Sequence, residues 1–173
     1  MRIYYDTEFT SLDGLVDWDM ISAGFVAADG QELYIEITDF LEENCSEFVV
    51  ETVLPLLGQG DRIPVRMPST HFAWRLCNWL ESFGEPIQLV SDSAIDWNVV
   101  HGYCYAEFSS FPVKVQGQVW QPSEAIEVQS VLESAEIEFW NANPGMMHHA
   151  LYDARRLKVI AERQMAFFAA LEA

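Results

Sequence analysis

The sequence is poor in positive charge. Nine Lys and Arg stand against 27 Asp and Glu, a formal net charge of -18 at pH 7 with His neutral. So acidic a chain lacks the usual means of gripping long nucleic acid, a basic face that displaces counterions from many phosphates. Phosphate chemistry remains open, because divalent cations held by carboxylates supply positive charge locally. Cysteine is scarce too. Cys45, Cys77 and Cys104 are odd in number and far apart, so neither a disulfide framework nor a zinc-ligand cluster is expected. No apolar run approaches the ~18 residues of a membrane span, and the first acid, Asp6, comes too early for a secretory leader. A soluble, cytoplasmic protein with no membrane partner is expected. Repeats, low-complexity tracts and linker-like stretches are also lacking, so residues 1–173 are read as one domain, whose 50% hydrophobic content is ample for a core.

Three runs near the start have strand character. Arg2 to Phe9 is rich in Ile and Tyr, Met20 to Ala27 (MISAGFVA) is apolar, and Gln31 to Thr38 (QELYIEIT) follows the Asp29-Gly30 turn. They predict an antiparallel meander. Ser46 to Leu57 fits a helix stopped by Gly58, and Pro68-Ser69-Thr70 opens another that Gly84 ends. Ile87 to Val90 (IQLV) has the unbroken apolarity of a central strand buried on both faces. Ile95 to Tyr103 is helical in pattern. Phe111 to Trp120 alternates Val113, Val115 and Val119 but contains Pro112 and Gly117, which makes it an edge strand or an irregular lobe. A helix over Ile126 to Trp140, a loop over Asn141 to Gly145 and a last helix through Leu151, Leu157, Ile160, Phe167 and Leu171 complete the chain. This order predicts an α/β fold, with a mixed central sheet of the three-strand meander plus parallel strands, flanked by helices.

Into the first strand the sequence places two acids, Asp6 and Glu8. Residues two apart on a strand share a face, with about 7 Å between their α-carbons. Two carboxylates without a counter-ion raise each other's pKa, and a hard divalent cation relieves them; alternatively both lie on a solvated strand end. Further acids follow. Ser91 to Trp97 (SDSAIDW) comes directly after the buried strand, where loops commonly build sites. There Asp92 is placed to cap the next helix, and Asp96 falls in its first turn. His148-His149-Ala150-Leu151-Tyr152-Asp153 joins imidazole and carboxylate at the start of the last helix.

Together these segments resemble the DEDDh family of 3′-to-5′ exonucleases, DnaQ-like enzymes with a ribonuclease H-like fold. The first motif matches as Asp6-Thr7-Glu8, the second as Asp96 and the third as His148 ahead of Asp153. DTEFTSLD is similar to the first motif of oligoribonuclease-type members, and YYDTEF with FVVETVLPLL is similar to the small bacterial exoribonucleases called RNase AS, which favour adenylate-rich RNA. Asp92 and Ile95 depart from the family's Asn and Phe, so the part Asp92 plays beside Asp96 is left open.

The resemblance implies that Asp6, Glu8, Asp96 and Asp153 hold two divalent ions, Mg²⁺ or Mn²⁺, on one phosphodiester, and that His148 takes the proton from an attacking water. Helical spacing alone would pair His149 with Asp153; the family spacing selects His148, if it precedes the regular helix. Thr10 and Leu12 stand where the family contacts terminal nucleotides. Phe9, Leu12 and Trp18 offer faces for stacking on or wedging between bases, Phe9 and Trp18 belonging otherwise to the core, and one of Arg155 and Arg156 meets a phosphate or both lie on a solvated helix face. The expected substrate is the 3′ end of single-stranded RNA, with single-stranded DNA as the near alternative and a non-catalytic binding subunit as the distant one. A homodimer is also implied, with Phe72 to Phe83 a candidate partner surface.

Overall fold

A computed structural model describes residues 1–11, 19–111 and 114–172. Leu12, Trp18, Pro112 and Val113 lie outside the described residues. The elements in chain order are β1 (Arg2–Phe9), β2 (Met20–Ala27), β3 (Glu32–Ile37), β4 (Val65–Met67), α1 (Phe72–Glu81), β5 (Ile87–Ser91), α2 (Ala94–Phe108), β6 (Val115–Val119), α3 (Ile126–Ala142) and α4 (Ala150–Leu171). The six strands form one sheet in the order β4-β3-β2-β1-β5-β6. β1, β2 and β3 pair antiparallel, while β4, β5 and β6 join parallel to their neighbours. The expected mixed α/β sheet flanked by helices is therefore present, in an arrangement consistent with a ribonuclease H-like fold.

Strand alternation sorts the sheet's two faces. Ile3 and Tyr5 of β1, Phe25 of β2 and Ile35 of β3 pack with Phe72, Leu76 and Leu80 of α1 and Val100 and Cys104 of α2. Tyr4 and Val90 instead meet Val128 and Leu132 of α3 with Leu157 and Ile160 of α4, while Val26 and Tyr34 meet Ala150, Leu151 and Ala154. Asp6 and Glu8, in register with Tyr4, thus belong to the α4 face; Thr7 belongs to the other. α4 approaches closely because β2 carries Gly24 beneath it. A Cβ there would lie 2.3 Å from the Leu151 Cα and 2.5 Å from the Ala150 carbonyl carbon.

Four local features refine or change these expectations. Ser46 to Leu57 is no regular helix but a wide π turn, Val49–Val53, tightening into a 3₁₀ turn, Leu54–Leu56. Leu54 N–H reaches the Val49 carbonyl, one residue beyond its α-helical partner, and Pro55, which has no N–H, adds no further rung. β4, too short to show a period, was not foreseen. Phe111 to Trp120 resolves in favour of an edge strand, β6, whose Gly117 lies flat against the Trp97 indole: a Cβ would come within 2.5 Å of it. Finally, α2 runs on to Phe108 and stops at Ser109 in the left-handed region, φ 60°. Among the described residues no helix is long and apolar enough to cross a membrane.

Candidate active site

β5 accompanies β1 only from Arg2 to Tyr4. Past that point the chain leaves β5, turns at Ser93 and starts α2, so the first turn of α2 stands beside the unpaired edge of β1. Ser93 caps α2, its Oγ accepting from Ile95 N at 3.1 Å. Asp92 is therefore not the cap that the sequence suggested. On the α4 face, the turn before α4 brings its own side chains over the end of β1. Two groups of possible ligand atoms result. Those of Asp6, Asp92 and Asp96 lie within 4.8 Å of one another, and so do those of Glu8, His148 and Asp153. The four predicted acids and His148 thus come together from three elements.

Asp96 is 3% exposed and accepts from Thr7 Oγ1 at 2.7 Å and from Thr7 N at 3.3 Å. Burial and mutual repulsion govern the charges. Burial, then Asp96, Glu8 and Asp153, hold the Asp6 carboxyl well above its usual range. Burial and the repulsion of Asp153 and Asp96 push Glu8 up to about 9. Asp96 rises to about 7 through burial, with the Thr7 hydrogen bond opposing and Asp92 adding to the rise. Asp153 rises to about 7 for the same first reason, against the pull of Arg156 and of the His148 and His149 backbone N–H groups. Asp153 Oδ2 is buried with no hydrogen-bond partner. A cluster of oxygen donors that repel one another, one of them orphaned, fits a hard divalent cation.

His148 precedes the regular helix in the left-handed backbone region, φ 68°. This turn frees its ring from the helical spacing that would have favoured His149. The Phe48 ring meets the His148 imidazole edge-on, centroids 5.1 Å apart, and is itself half exposed. His149 has a different task. It is 2% exposed and caps α4, with Nδ1 accepting from Leu151 N at 3.3 Å, so Nε2 carries the proton and donates to the Gln59 carbonyl at 3.3 Å. Its ring sits against Tyr34 and Tyr152, and burial lowers its pKa.

The remaining candidates fall around this centre. Thr10 is wholly buried: its Oγ1 accepts from Asp19 N at 3.2 Å and its carbonyl from Ser46 N at 2.9 Å, which ties the end of β1 to the next turn. Phe9 follows a register shift in β1 and is half buried. Arg155 donates to Glu32 at 2.7 and 2.8 Å and to Asp61 at 2.9 Å, above the Tyr152 ring. Arg156 bridges Glu136 and Asp92, the latter at 3.0 Å. Sequence reasoning missed Thr7, Phe48 and the Asp92–Arg156 pair. No pattern announced them, because each acquires its place through a partner distant along the chain.

No family model matches the chain. Two proteins from two strains of Mycobacterium tuberculosis, both named 3′-5′ exoribonuclease, are similar to it. Each is 28% identical over 166 residues, which span 90% of this chain and 88% of the relative.

Proposed function

We propose that the chain is a metal-dependent 3′-to-5′ exoribonuclease of DEDDh type, close to RNase AS and the oligoribonucleases, that shortens single-stranded RNA to nucleoside 5′-monophosphates. The observation that carries this reading is the convergence of Asp6, Glu8, Asp96, His148 and Asp153 in two adjoining donor groups at the end of β1. The similarity to proteins named 3′-5′ exoribonuclease along nearly the whole chain supports it.

Asp6, Glu8, Asp96 and Asp153 hold the cations, four negative charges against four positive, so a phosphodiester approaches a site without net repulsion. Two divalent ions held by these acids would supply Lewis acidity there, enough to acidify a water molecule and to stabilise charge on the leaving 3′ oxygen. His148 accepts the proton of the attacking water; it is half-buried, and its ring nitrogen lies within 4.8 Å of the Glu8 and Asp153 oxygens. His149, fixed as a neutral cap, cannot substitute for it without breaking the start of α4. The half-exposed Phe48 face beside His148 is available to a terminal base. Arg155 meets a phosphate only by giving up Glu32 or Asp61.

The test is to incubate 5′-labelled single-stranded RNA and DNA of equal sequence with Mg²⁺ or Mn²⁺. The expected outcome is a ladder growing from the 3′ end of RNA, absent with Asp6→Ala and strongly slowed with His148→Ala. A ladder on DNA alone moves the substrate to DNA. No ladder on either, or variants as active as the parent, overturns the assignment.

A further inference from the structure

Between the two acids of β1 stands Thr7, and alternation turns its side chain away from theirs, onto the α1–α2 face. This face belongs to the core, and Thr7 is 4% exposed there. Two of its groups need partners. Its backbone N–H lies on the stretch of β1 that β5 does not reach, since their pairing ends at Tyr4 and Val90. Its hydroxyl is buried, and a buried hydroxyl without a partner is costly. Both are satisfied by the same atom, Asp96 Oδ1, at 3.3 Å from the nitrogen and 2.7 Å from Oγ1. These bonds are not needed to cap α2, because Ser93 already does so.

We infer that Thr7 is a positioning residue of the cation centre: it fixes Asp96 by one carboxylate oxygen and leaves the other for a cation shared with Asp6. The inference rests on the proposed reading of these acids as cation ligands. Two donors on one oxygen set the carboxylate's direction and distance, and both donors come from the strand that carries Asp6 and Glu8. The register between the two ligand-bearing elements is thus fixed at a single residue, through its hydroxyl and its backbone N–H. Ligating carboxylates generally depend on such outer hydrogen bonds, whose loss weakens metal binding 10- to 100-fold.

Thr7→Val removes the hydroxyl and keeps the β-branched shape suited to a strand; Thr7→Ser keeps the hydroxyl and drops the methyl. Titration of the chelator-stripped protein with Mn²⁺ alone, followed by calorimetry, reads affinity without substrate, and melting temperature reports the fold. Thr7→Val is expected to bind one Mn²⁺ about tenfold more weakly while melting near the parent, and Thr7→Ser to bind like the parent. In an Asp96→Ala background Thr7→Val should have no further effect. Equal affinity of Thr7→Val and the parent, or equal losses in Val and Ser variants, overturns the assignment of Thr7 alone. A parent that binds no Mn²⁺ overturns the cation centre itself, and Thr7's role with it.

Discussion

His148 and His149 are adjacent, chemically identical and differently employed. His149 is committed through both ring nitrogens to the start of α4, whereas the left-handed backbone at His148 presents its ring to Glu8 and Asp153. Replacing His148 with Gln is expected to lower kcat by about 10² to 10⁴ and to leave Mn²⁺ affinity within a few-fold; a collapse of affinity instead would make His148 a ligand and not the base. The raised acids give a second prediction. A carboxyl whose folded pKa lies above its unfolded value stabilises the fold fully below the unfolded value, and this is lost as pH rises through the folded one. With Asp96 and Asp153 at about 7 and Glu8 at about 9, the melting temperature in chelator should fall between about pH 5 and pH 9. Mn²⁺ should restore it most at the alkaline end, and Asp153→Asn should flatten the slope. A parent profile unmoved by Mn²⁺ at any pH would contradict the cation reading. Asp6 and Glu8 were legible as a pair because their spacing is local, whereas Asp96 and Asp153, from separate segments, were singled out by the family resemblance. Thr7 was not, since its significance lies in Asp96, 89 residues away, and period-two reasoning sends it off the site.

The site exists because three elements arrive at one place: β1 outlasts β5, α2 begins in the gap, and α4 presses on β2. The last contact depends on Gly24, whose hydrogen leaves room for the Leu151 backbone. Gly24→Ala drives a methyl into main chain that cannot rotate aside, so α4 must lift, carrying Asp153 and His148 with it. A loss of stability at the upper end of the ~1–3 kcal/mol typical of overpacking, together with a large loss of Mn²⁺ affinity, is expected by thermal melting and calorimetry. Gly84→Ala provides a contrast, because nothing lies within 4 Å of that Cβ position and only its positive φ of 66° is strained. It should cost stability without touching affinity. At this scale the sequence was readable where apolar period and punctuation agreed, as in β1, β2, β5, α3 and α4. It failed where a short stretch carries no distinctive period: residues 49–56 pass from a π turn to a 3₁₀ turn that includes Pro55, and three-residue β4 is a strand only because β3 lies beside it.

Across the whole molecule the -18 formal charge becomes -14 with two divalent ions in place. The few cations are largely spoken for: Arg62, Arg66, Arg155 and Arg156 all pair with acids. Long-range attraction to a polyanion is therefore weak, and recognition should be confined to the last few nucleotides of a free 3′ end. Affinity for single-stranded RNA, measured with a catalytically dead variant, should show a shallow dependence on salt, corresponding to about two or three neutralised phosphates. A slope equivalent to many would reveal a basic track that the charges of this chain do not provide.

If the acids of β1, α2 and α4 form one two-cation centre, Mn²⁺ binds among them in two places. Anomalous difference density from crystals grown with Mn²⁺ tests it most directly. Two peaks are predicted, one within about 2.2 Å of carboxylate oxygens of Asp6 and Asp96 and one at the same range from Glu8 and Asp153. An empty centre with Mn²⁺ bound elsewhere, or nowhere, would rule out a two-cation centre at these acids.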